Sequence, residues 1–90
     1  MKRTKTLEVA AYLIGRDRAE TYGNAFAMHS QIAAMWSAML NHKIEPFQVA
    51  LLMAALKLSR ATANPKHEDN FIDLCGYAAL AGELVSGDEE

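Results

Sequence analysis

The segment that decides the fold is Pro46-Phe47-Gln48-Val49-Ala50-Leu51-Leu52-Met53-Ala54-Ala55-Leu56-Lys57-Leu58-Ser59-Arg60. From Val49 to Leu56 it contains no polar residue, and its charges, Lys57 and Arg60, come only in the last turns. Cations near a helix C-terminus complement the helix dipole, and proline is suited to the first helical position. The run therefore predicts a helix over 46–62, ended by Asn64-Pro65. A helix that is apolar all round belongs at the centre of a bundle, covered on every side, so Leu52 and Leu56 are expected to be buried.

Working outward, the apolar spacing is helical nearly everywhere. Met28, Ile32, Met35 and Met39 form one stripe, and Ala33, Trp36 and Leu40 its neighbour, which predicts a helix over 25–41. Leu7, Ala10, Ala11 and Ile14 predict a first helix over 7–15, with Thr6 as N-cap and Gly15 just past its end. Arg16 to Asn24 reads as a shaped polar loop. Beyond Pro65, His67-Glu68-Asp69-Asn70 opens a fourth helix over 67–85, on which Phe71, Leu74, Cys75 and Ala78 form an apolar stripe. Gly76, Ala79 and Gly82 are small enough for close helix contact. The fold class is all-α: a four-helix compact bundle of residues 1–85, followed by a disordered acidic tail, 86–90.

Ninety residues carry nine Lys+Arg against eleven Asp+Glu, a net charge of -2. That balance argues against nucleic-acid binding by bulk positive charge. A chain of this size buries only about 60–65% of its unfolded surface, so it is marginal by itself. One cysteine, Cys75, excludes an internal disulfide, and no CxxC or Cys/His cluster offers a zinc staple. Self-association is the remaining route to stability, with a homodimer as the expected form. No signal peptide or membrane span is read, and the lone cysteine fits a cytoplasmic location.

Three polar groups fall where the pattern predicts closeness to the core. Asp17, Arg18, Glu20 and Tyr22-Gly23 occupy the first loop, Lys57 and Arg60 end helix three, and Asp69, Asn70, Asp73 and Tyr77 lie on helix four. Asn70, Asp73 and Tyr77, at steps of three and four, share one face. The functional reading is a site for a nucleotide-like or other phosphorylated ligand. Lys57, Arg60 and Arg18 would hold phosphates, Tyr22 or Tyr77 would stack on a base, and Asn70 would hydrogen-bond it. The competing reading is a salt-bridge network in which Lys57 or Arg60 pairs with Asp69 or Asp73. No cofactor is required by either. A Mg²⁺-dependent nucleotide hydrolase would need converging carboxylates, for which Asp17-x-x-Glu20 and Asp69 with Asp73 are the available pairs. His29 reads as an inner or interface histidine, His42 and His67 as helix-end residues, and Cys75 as a small core residue. No P-loop, GxGxxG, HExxH or GxSxG motif is present.

Taken in order, several segments resemble a family of small uncharacterised phage and prophage proteins. They are Gly15-Arg16-Asp17-Arg18 with Tyr22-Gly23, Ile32 to Ala38, Val49 to Met53, Leu56-Lys57-Leu58-Ser59-Arg60, Asn64-Pro65, and Glu68 to Ala79. The resemblance spans roughly residues 8–82. It implies a phage or prophage origin and an all-helical fold, and in that setting a binder of this kind would sequester a host defence signal. A more distant similarity is to all-α nucleotide pyrophosphohydrolases of the MazG type, helical oligomers in which a helix bearing Lys/Arg precedes one with a D-x-x-D-like motif. Here the second pair reads Asn70-x-x-Asp73, and the nearest match to their first E-x-x-E pair, Asp17-x-x-Glu20, falls in a predicted loop. What that similarity implies is a metal-dependent hydrolase. A third reading is a ligand-free protein-interaction module.

Overall fold

The computed structural model describes residues 1–17 and 24–87, with the side chains of 1–15 and 24–87. Among them are four α-helices and no strand: α1 Arg3–Tyr12, α2 Ala25–Leu40, α3 Pro46–Ala63 and α4 Glu68–Ser86. A π-helical turn, Leu13–Asp17, extends α1. The all-α class holds, and each of the last three helices lies within a residue of its predicted limits.

The first helix departs from its expected ends. It begins at Arg3, with Lys2 as an N-cap that makes no side-chain cap bond. Thr6 lies inside it, its N–H donating to Lys2 O at 3.0 Å. Gly15 does not close the helix in a left-handed conformation. It falls within the π turn, and among described glycines only Gly87 has a positive φ, 77°. The π turn inserts an extra residue into the spiral and re-aims the side chains that follow. Here Ile14 packs against a cluster of Ala50, Leu80 and Ala81.

Asn24 caps α2, its Oδ1 accepting from Ala27 N–H at 3.1 Å. The turn into α3 is held by Ser37, whose hydroxyl donates to Ala33 O at 2.7 Å and accepts from Ile44 N–H at 2.8 Å. Gln48 Oε1 accepts from Glu45 N–H at 2.8 Å and secures the start of α3, where Pro46 takes the first position. Glu68 and Asp69 occupy the first turn of α4, where their charge suits the dipole. Gly87 ends the helix, its N–H donating to Glu83 O at 2.9 Å. Residues 88–90, most of the predicted tail, lie outside the described residues.

The core lies between α3 and α4, a pair joined by the short link 64–67, which forces them antiparallel. The face of α3 toward α4 is Ala50, Ala54, Lys57 and Ala61, at steps of four, three and four. All three alanines are buried. Small residues in such a stripe let two helices approach closely. α1 covers another side of α4. Buried Gly76 makes this approach possible, since a Cβ there would meet Ile14 Cγ2 at 3.0 Å. Ala79 and Gly82, expected to serve the same purpose, are exposed.

The expectation that α3 is covered on every side is corrected. In the single chain Leu52 is 49% and Leu56 43% exposed, and Leu51 and Leu58 are exposed too. Both large neighbours of α3, α2 and α4, lie to one side of it, and nothing among the described residues covers the other. Cys75 is half-buried, lining a groove between α1 and α4 rather than the core. His29 is buried on α2, its Nδ1 donating to Ala25 O at 2.8 Å.

Candidate functional site

Lys57 stands in the alanine stripe, so the helix carries it into the α3–α4 seam rather than into water. Its Nζ lies 2.9 Å from Asp73 Oδ2, with side-chain exposures of 17% and 20% for the two residues. The antiparallel register that joins Lys57 to Asp73 sets Ala61 opposite Asn70 and Ala54 opposite Tyr77. Tyr77 is half-buried and packs against the Ala50–Leu80–Ala81 cluster. Asp73 and Tyr77 also line a cleft against Ala10, Leu13 and Ile14 with a volume of about 10 Å³, room for one water molecule.

Asn70 is the unusual member. It is 5% exposed, one of two buried polar residues among those described. Its N–H is used in the first turn of α4, donating to His67 O at 3.2 Å. Its side chain makes no hydrogen bond to a described residue, yet no fully sealed side-chain nitrogen or oxygen among the described residues lacks a partner. The amide therefore keeps its small remaining exposure at its own polar atoms, at the edge of the seam. That exposure lets water satisfy the amide, so Asn70 is nearly buried without being an unsatisfied polar group.

Of the seven residues singled out in the sequence, Lys57, Asn70, Asp73 and Tyr77 are brought together along one seam. Arg60 is exposed, about 60° around α3 from Lys57, at the same end of the helix. Arg18 and Tyr22 lie outside the described residues, as does Glu20. Asp69 is exposed, and among the described residues no three His, Cys, Asp or Glu side chains converge as metal ligands. What the sequence reading missed is the alanine stripe itself. The spacing Ala50, Ala54, Lys57, Ala61 is a pattern in the sequence, and it marks Lys57 as an interface residue.

The fold and the seam define a small all-α protein with a partly buried Lys57–Asp73 pair between α3 and α4 and a buried Asn70 beside it on α4. The chain belongs to the family described as Domain of unknown function (DUF6378), which it matches over residues 5–85. It is 33% identical over 85 residues to the Gene 55 protein of Mycobacterium phage L5, a match covering 93% of this chain and 54% of that protein. It is 36% identical over 78 residues to the Gene 55 protein of Mycobacterium phage D29, covering 87% and 52%. The chain thus spans about half the length of these curated relatives. No solved structure matches it. The expected kinship with small phage proteins is borne out. No described helix is long and apolar enough to cross a membrane.

Proposed function

We propose that this phage-family protein captures a phosphorylated, nucleotide-like ligand at the open end of the α3–α4 seam. The observation that carries the reading is Asn70, a buried amide with no described side-chain partner, placed on the face that also bears Asp73 and Tyr77. Its polar atoms stay open at the edge of the seam, where a ligand could take over the hydrogen bonds they otherwise make to water. Lys57 and exposed Arg60 would take the phosphate, Arg60 by bidentate contact. Asp73 would accept from a ribose hydroxyl, and Tyr77 would stack on the base. Arg18 and Tyr22 are assigned to the same site by the sequence. Binding of this kind would sequester a signal, such as one used in host defence, without chemistry on it.

The test is a thermal-shift and calorimetric screen of mononucleotides and cyclic nucleotides, with and without Mg²⁺. A metal-independent stabilisation that is lost in Lys57→Met, Arg60→Met and Asn70→Ala, while helical circular dichroism is kept, is the expected outcome. Stabilisation that requires Mg²⁺ and is followed by pyrophosphate release would replace the binder with a hydrolase. No response to any nucleotide, with Lys57→Met altering stability and nothing else, would reduce the seam to a salt bridge.

A further inference from the structure

The described charges where α3 ends and α4 begins leave a surplus of one cation. Lys57 is already matched, its Nζ lying 2.9 Å from Asp73 Oδ2. Both side chains are largely withdrawn from water, so a ligand that pulled Lys57 away would strip Asp73 of this cation at a cost. An ammonium has three donors, so Lys57 can hydrogen-bond a ligand oxygen without leaving Asp73, but it brings no spare charge. The link and the first turn of α4 add Lys66, Glu68 and Asp69. Glu68 is held by the terminal ammonium of Met1 at 2.6 Å, which leaves Lys66 and Asp69, one charge of each sign. The cation that remains is Arg60, exposed and without an ion pair to a described residue.

The register adds a second constraint. With Lys57 set against Asp73, the residue three further along α3, Arg60, stands level with the residue three earlier on α4, Asn70. One guanidinium fork and one amide open to solvent therefore lie at the same height at the edge of the seam. The fork presents parallel N–H donors that match two oxygens sharing a charge. A phosphodiester has two non-bridging oxygens and a single negative charge, whereas a phosphate monoester has three and carries about −1.5 to −2 at pH 7. We propose that the site selects a phosphodiester, such as a cyclic nucleotide, over mono- and polyphosphates, an inference that rests on the seam being a nucleotide site. A polyphosphate would bring further negative charge toward Asp69 and Asp73 with no surplus cation among the described residues to meet it.

Isothermal titration calorimetry of the full chain tests this at pH 8, above the usual histidine range and without Mg²⁺. It compares the cyclic monophosphate, monophosphate and triphosphate of adenosine, guanosine, cytidine and uridine. For any base that binds, the cyclic form should be at least about tenfold tighter than the monophosphate, with the triphosphate weakest. Arg60→Gln should weaken the cyclic form by about tenfold or more. Asp73→Asn leaves the charge of Lys57 unmatched, and should bring the monophosphate level with or ahead of the cyclic form while helical circular dichroism is kept. A monophosphate or triphosphate tighter than the cyclic form in the unmodified chain would overturn the inference and leave the site standing. So would an unchanged order in folded Asp73→Asn, and the unmodified chain decides the order even if that variant unfolds. No binding of any of these nucleotides would remove the site, and the inference with it.

Discussion

The two faces of α3 make opposite use of hydrophobicity. The face on α4 holds Ala50, Ala54, Lys57 and Ala61, and the face away from it holds Leu51, Leu52, Leu56 and Leu58. Ranked by transfer free energy, the leucines belong inside. The alanines are inside because helix pairing rewards small side chains that let backbones approach, and α4 brings its own volume in Tyr77 and Leu80. An alanine stripe therefore points to the neighbouring helix in the same chain, while the leucines on the far side stay exposed in the single chain. Lys57 sits on the alanine face because Asp73 is there to meet it, and the cost of taking both groups out of water is offset by their pairing.

Filling the alanine face should do the most damage. Ala50→Leu adds a branched side chain at a position with no exposure and should cost about 3 kcal/mol in urea denaturation. A loss under about 0.5 kcal/mol would mean that the seam is loose and the contrast between faces false. The next effect is the Lys57–Asp73 coupling. A cycle of Lys57→Met, Asp73→Leu and the double variant should show about 1–2 kcal/mol, and a value near zero would leave ligand binding as the reason for the pair. Smaller still is the contrast between two glycines of α4. Gly82→Ala meets nothing within 4 Å and should raise stability by about 0.5–1 kcal/mol. Gly76→Ala must push Ile14 aside at 3.0 Å, so its melting temperature should fall below that of Gly82→Ala, and equal values would show that α1 packs loosely on α4. The smallest change is expected at Met39, 81% exposed on α2. Met39→Gln should stay within about 0.5 kcal/mol, and a larger loss would show that Met39 is covered despite its exposure in the single chain.

Much of the candidate site was legible because it depends on short-range geometry. The steps among Asn70, Asp73 and Tyr77 put them on one side of α4, and the short link around Asn64-Pro65 turned α4 back along α3, so Lys57 had to approach them. The separation of Lys57 from Arg60 was less visible. Both carry positive charge one turn apart, and only the position of α4 sends one into the seam and leaves the other in solvent.

The sequence by itself determined the four helices, most of their ends and the antiparallel α3–α4 hairpin, since periodicity, caps and short connections act within a few residues. It misplaced the start of α1 and the role of Gly15, because the helix begins at Arg3 and runs on into the π turn that contains Gly15. Which face of α3 is inside was decided only in the tertiary structure. An all-apolar helix has no preferred side until a partner chooses one, and α4 chose the alanines because close backbone approach and the Lys57–Asp73 pair were available on that side and not on the other.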